Sequence, residues 1–123
     1  MKSADLALVL TGVMLNAAAQ LLLKAGSRAI TDVSFSLANT WTLAARMALN
    51  PPILGGVALY VVSVVFWILA LSRVDVSIAY PMLSIGYIVS ALAGWLLFSE
   101  AVSPARVAGI VVIIVGVWLV ARS

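Results

Sequence analysis

The sequence predicts an all-α integral membrane protein with four transmembrane helices, and three observations carry that prediction. The chain of 123 residues is 65% apolar and only 9% charged, whereas a soluble domain is about half apolar and about a quarter charged. Charge-free stretches occupy residues 6–23, 51–72, 76–99 and 107–121, and with their flanks each supplies the roughly 20 residues that cross a bilayer core. The turns between the last three are short, Arg73-Val74-Asp75 and residues 100–106, so those helices must run antiparallel to their neighbours. The same composition excludes a soluble globular protein and a disordered chain. With no Cys and no His, a thiol nucleophile, a disulfide framework, a structural zinc site and a His general base are excluded as well. The chain is therefore read as a non-enzyme with no cofactor or metal. Its seven Lys/Arg form no basic run, which excludes nucleic acid as a partner.

Taken in order, the spans cover about 4–25, 51–72, 76–99 and 104–122 of a single 1–123 domain. Ser3, Asn50, Asp75 and Ser103 stand where N-caps belong, and Pro51 and Pro104 follow at first-turn positions where a missing N–H costs little. The first span, with Lys2 ahead of it and Ala17-Ala18-Ala19 inside it, mimics a signal peptide. Leu21-Leu22-Leu23 carry the apolar run past that point, and the span is read as retained. The one long connection, 24–50, includes Asp32 and ends in a stretch, 37–49, that mixes Trp41, Leu43 and Met47 with Asn39, Thr40 and Arg46. That pattern suits a short interfacial helix lying on the membrane, and equally a plain tether.

With four spans, Lys2, Arg73 and Arg122 share one side, and Lys24, Arg28, Arg46 and Arg106 share the other. The positive-inside rule has almost nothing to separate these sets, so either orientation is accessible or a partner decides it. Four such helices leave little room for an enclosed path. A transporter this small is expected to work as a dimer of bundles, homomeric or with a similar small subunit. An antiparallel pair would reproduce the inverted repeat that longer transporters carry in one chain.

Polar groups at membrane depth are costly, so their placement is informative. In the first span Gly12, Asn16, Gln20, Lys24 and Arg28 recur every four residues, on one slowly drifting face that grows more polar toward the loop. Such a ramp could conduct an anionic head group to mid-membrane. Interhelical bonding by the amides, with Lys24 and Arg28 reaching to membrane-lipid phosphates, accounts for the same residues. In the second span Tyr60, Ser63 and Trp67 share a face, and in the third Tyr80, Ser84 and Tyr87 do, with Pro81 disturbing the helix between them. These positions could line a substrate cavity or belong to an interfacial aromatic belt. Gly109 and Gly116, two turns apart, form a small-residue stripe suited to close packing or a dimer seam. Of the four acids, Asp5, Asp75 and Glu100 sit at span boundaries and Asp32 in the long loop, so none is buried at membrane depth. A proton-coupled exporter of cations needs a buried titratable group for which proton and cation compete. Its absence favours a neutral or anionic substrate.

The run Ile78-Ala79-Tyr80-Pro81-Met82-Leu83-Ser84, followed by Leu97-Phe98-Ser99-Glu100 and by residues 109–117, resembles the small multidrug resistance and EamA-type transporter superfamily. The first span, ending Gln20-Leu21-Leu22-Leu23-Lys24, is similar to that family's first helix. Drug and guanidinium exporters of the superfamily carry a glutamate eight residues before the lysine that ends this helix; here that position is Asn16. The departure agrees with the missing carboxylate. The Ile78–Ser84 run is most similar to the two small subunits of the undecaprenyl-phosphate-aminoarabinose flippase. The resemblance implies a bacterial inner-membrane flippase of a polyprenyl-phosphate-linked sugar used in lipid A modification. By that resemblance Tyr80 and Ser84 would line the cavity, and Gly109 and Gly116 the dimer contact. On this reading Asn16, Gln20, Tyr80 and Ser84 contact the sugar, Lys24 and Arg28 meet the phosphate, and Tyr60, Trp67 and Tyr87 are further substrate-lining candidates. The alternatives are an exporter of small organic compounds without proton coupling, and a structural or regulatory membrane subunit.

Overall fold

The computed structural model describes residues 2–31 and 36–123, and Asp32 lies outside the described residues. The order of elements is α1 (Ser3–Ser27), a 3-10 turn (Arg28–Ile30), a second 3-10 turn (Leu37–Asn39) running into α2 (Thr40–Ala48), then α3 (Pro51–Leu71), α4 (Val76–Met82), α5 (Ser84–Leu97) and α6 (Pro104–Arg122). Four helical segments are long and apolar enough to cross a bilayer: Ser3–Ile30, Pro51–Leu71, Val76–Leu97 and Pro104–Arg122. The chain is thus a four-helix, multi-pass membrane protein.

Capping follows the sequence at two starts out of four. The Asn50 side chain accepts from the Ile53 N–H at 3.1 Å, and Ser103 Oγ accepts from the Arg106 N–H at 3.2 Å, each ahead of a proline at N1. Asp75 holds the N-cap position of α4 without a side-chain bond, and Ser3 is already helical, with Lys2 at the cap. The third span is broken. Pro81 has no N–H to bond the carbonyl one turn back, and its ring crowds that carbonyl. The helix therefore stops at Met82 and restarts at Ser84, with the Leu83 N–H bonded to the Tyr80 carbonyl at 3.0 Å.

The principal seam is α1 against α3, and small residues make it close. A Cβ on Gly56 would stand 3.0 Å from the Ala19 carbonyl oxygen and from Leu23. At Gly26 it would run into Ile53 Cγ1 and come within 2.8 Å of Asn50 Oδ1. Asn50 closes the same corner by donating from Nδ2 to the Gly26 carbonyl at 3.2 Å. On the other side of α1, Gly86 of α5 sits over Val13, where a Cβ would lie 3.2 Å from Val13 Cγ1. The buried cluster is Val9 and Val13 of α1 with Ala70, Val74, Ala79 and Met82. No residue of α6 is buried; this helix packs mainly on α4 and α5.

Close approach without a side chain is the device that lets membrane helices gain packing energy where lipid offers no hydrophobic contrast. Gly26→Val should therefore lower stability by about 1–3 kcal/mol in reversible unfolding by denaturing detergent. Gly55→Ala, whose Cβ would meet only Leu22 Cδ1 at an ordinary 3.5 Å, should change it by no more than about 0.5 kcal/mol.

Candidate functional site

The α1–α3 seam and the start of the third span enclose a cleft of about 160 Å³ lined by Gly12, Asn16, Tyr60, Ser63, Trp67 and Tyr80, with Val64 and Leu83 completing the wall. At a rise of 1.5 Å per residue, Trp67 and Tyr80 lie about 6 Å in from the membrane face that carries the chain termini, and Tyr60 about 16 Å in. The cleft thus runs from that face to near mid-membrane. Gly12 packs against the aromatic wall at ordinary contact distance, with the Trp67 ring 3.5 Å from where its Cβ would be. Trp67 meets Tyr80 edge to face, with ring centroids 5.5 Å apart and planes at 90°. Ser63, 3% exposed, satisfies its own hydroxyl by donating to the Tyr60 carbonyl at 2.6 Å. Among the described residues no carboxylate or cation lines this cleft. It offers one amide, one buried hydroxyl and three aromatic side chains that carry polar edges, the composition of a site for a neutral polar ring.

The other residues singled out from the sequence lie elsewhere. Steps of four residues rotate a helix face by about 40° each, so Asn16 enters the cleft while Gln20 is exposed and lines none of the wall. Lys24 Nζ pairs with Glu100 Oε2 at 3.5 Å. Arg28 donates to the Phe98 carbonyl at 3.0 Å and stacks over the Phe98 ring, 4.5 Å from its centroid. Ser84 is half-buried outside the cleft. Tyr87 lines a second cleft, of about 350 Å³, between α5 and α6, together with Glu100, Arg106 and Gly109. Tyr80 and Tyr87, seven residues and about 10 Å apart along the third span, line different clefts. A Cβ on Gly109 or Gly116 would meet nothing within 4 Å, so the small-residue stripe is open.

Sequence reasoning missed Val64 and Leu83, apolar positions that carry no chemical signal, and it missed what lies around Glu100. There Ser99 adopts a left-handed conformation, φ 54°, and turns the chain so that the Glu100 N–H bonds the Gly94 carbonyl at 3.1 Å. The Glu100 carboxylate then folds into the space a Cβ of Gly94 would occupy.

Comparison with known proteins adds the following. A family model described as Small Multidrug Resistance protein matches residues 40–113. The chain is 32% identical over 120 residues to a "Probable 4-amino-4-deoxy-L-arabinose-phosphoundecaprenol flippase subunit ArnF" of Photorhabdus laumondii, covering 92% of this chain and 93% of that protein. A Proteus mirabilis protein of the same description is also 32% identical, over 85% of this chain and 82% of its own length. To a Pseudomonas savastanoi protein described as subunit ArnE of that flippase the identity is 44% over 57 residues, 46% of this chain and 50% of that protein. The chain thus spans about half the length of the ArnE relatives it matches. No solved structure matches it.

The cleft geometry carries a test of its own. Tyr80→Leu removes the edge-to-face pair with Trp67 and should cost about 0.5–1.5 kcal/mol in detergent unfolding. Tyr87→Leu, at an exposed position with no ring partner among the described residues, should stay within about 0.5 kcal/mol of the parent.

Proposed function

The chain belongs to the Small Multidrug Resistance protein family, and we propose that within it this protein is a subunit of an inner-membrane flippase for a polyprenyl-phosphate-linked amino sugar. The observation that carries the reading is the neutral cleft. Where proton-coupled exporters of the resembling family hold a glutamate, this chain holds Asn16, and the amide faces Tyr60, Trp67 and Tyr80 across the cleft. Aromatic faces and an amide suit the ring of a sugar, and the lack of a carboxylate in the lining removes the group on which proton coupling would run. The long full-length similarity to the ArnF relatives, whose printed name is that of a flippase subunit for 4-amino-4-deoxy-L-arabinose-phosphoundecaprenol, points the same way.

The cleft in one chain, about 160 Å³, falls short of the roughly 300–1,000 Å³ of complete ligand sites. A second bundle would supply the rest. Its natural seat is α6, which has no buried residue and open space beside Gly116, while Gly109 borders the α5–α6 cleft. The partner is a second copy or a similar small subunit, and transport is the rocking of two bundles about a shared cleft. Asn16, Tyr60, Trp67 and Tyr80 contact the sugar during passage, and Gln20, Ser84 and Tyr87 lie along the path outside the cleft. Lys24 and Arg28, both exposed at the end of α1, receive the lipid phosphate. The polyprenyl tail stays in lipid. Exposed Leu37 and Leu49 flank α2 and exposed Trp41 lies within it, which fits an interfacial helix lying on the membrane. An aromatic cleft of this small size also fits export of a flat organic compound, the second reading.

Reconstitution with the similar small subunit, reading leaflet-to-leaflet transfer of the lipid-linked amino sugar, tests the proposal. Lys24→Gln with Arg28→Gln should lower the transfer rate by about tenfold or more, since each removes a charge-assisted contact, while membrane insertion is unchanged. Full activity of that double variant would remove the phosphate assignment, and no transfer by the parent complex would remove the function.

A further inference from the structure

The cleft between α5 and α6 differs in kind from the sugar cleft. It is about 350 Å³, with Glu100 and Arg106 at one end and Tyr87, Ala91, Ile110 and Ile113 along it. The charged end sits at the membrane face where the long loop emerges. At 1.5 Å per residue, Tyr87 and Ile113 lie about 13–15 Å deeper, near mid-membrane. The cleft is therefore a hydrocarbon slot with one carboxylate and one guanidinium at its mouth.

Neither charge is spent within the fold. Glu100 is paired to Lys24 at 3.5 Å with both side chains about half exposed, 44% and 50%, and an ion pair so open to solvent contributes little stability. Arg106 donates from Nη1 to the Ala101 carbonyl at 2.6 Å, a bond that leaves its positive charge uncancelled. Glu100 is nonetheless held in place, by the left-handed turn at Ser99 and by the absence of a side chain at Gly94. A left-handed backbone is uncommon at a non-glycine residue, and here it sets Glu100 at the lining of the slot.

We propose that this slot is the entry site for the lipid-linked amino sugar on the loop side of the membrane, and that Glu100 selects the substrate's amine. The inference rests on the flippase reading above. A 4-amino sugar joined to a polyprenyl phosphate carries one cation and one anion about a sugar ring apart, on a long hydrocarbon chain. The slot matches all three: Glu100 takes the ammonium, Arg106 takes the phosphate, and the chain lies between α5 and α6. Lys24, released from Glu100 by the incoming ammonium, remains beside the site as a second cation for the phosphate. The exchange trades one half-exposed ion pair for two charge-assisted contacts.

The test is binding of three lipids to the intact protein in nanodiscs, read by native mass spectrometry: the polyprenyl-phosphate amino sugar, its N-acetylated form, and polyprenyl phosphate alone. The parent should prefer the free amine over the N-acetylated lipid by about tenfold. Glu100→Gln should abolish that preference while polyprenyl phosphate still binds, and Glu100→Asp should restore part of it. Gly94→Ala retains the acid but displaces the flexible end of its side chain, and should weaken the preference without loss of folded protein. Arg106→Gln should weaken all three lipids alike. Equal binding of amine and N-acetylated lipid by the parent overturns the inference and leaves the flippase reading standing, whereas binding of none of the three overturns both. If the Glu100 and Arg106 variants change subunit association instead of lipid preference, the slot is a subunit seam and the inference falls.

Discussion

The structure depends on the close approach of α1 to α3. Glycines toward the loop end of the seam, Gly26 against Ile53 and Asn50, and Gly56 against the Ala19 carbonyl, let two backbones come together where lipid supplies no hydrophobic reward for doing so. With α1 and α3 fixed, Gly12 and Asn16 of α1 line a cleft with Tyr60 and Trp67 of α3. Tyr80 joins them from the first part of the third span, edge to face with Trp67. The site is a by-product of how the two best-packed helices meet, and the least-packed helix, α6, is left facing outward.

Charge is managed at the loop end by backbone acceptors as much as by acids. Arg28 bonds the Phe98 carbonyl, Arg46 the Ala29 carbonyl at 2.6 Å and Arg106 the Ala101 carbonyl. Phe98 and Ala29 lie where helical segments end, and terminal carbonyls carry partial negative charge and lack intrahelical partners. These bonds tie the end of α1, the start of α2's approach and the α5–α6 turn into one belt. Those of Arg28 and Arg106 are bonds to neutral carbonyls and keep guanidinium charge beside a membrane surface, the environment in which an anionic head group is met.

Much of this was legible from the sequence. Four apolar runs separated by charges specify four spans because a bilayer core tolerates little else, and Asn50-Pro51 and Ser103-Pro104 mark helix starts because an orphan N–H and a missing N–H are both accommodated there. Asn16 was readable as a polar residue at membrane depth, and Pro81 as a disturbance. What was not readable were the consequences of geometry over distance. Tyr80 and Tyr87 line different clefts, although their spacing places them on one face of a helix. Glu100 pairs with Lys24 across a sequence gap that no local pattern spans, and its placement depends on Ser99 taking a conformation that Ser rarely adopts.

A neutral aromatic cleft reaching mid-membrane, a cationic belt at one face and an unpartnered fourth helix together describe a half-site. Each feature gains its use when a second bundle closes it: the cleft reaches ligand size, α6 is covered, and the belt faces a lipid head group. The most direct test is native mass spectrometry of the complex gently extracted from the membrane. The account predicts a dimer, with itself or with a similar small subunit, that retains a polyprenyl-phosphate lipid or its glycosylated form. A dimer that ignores polyprenyl-phosphate lipids and retains small organic cations would contradict it.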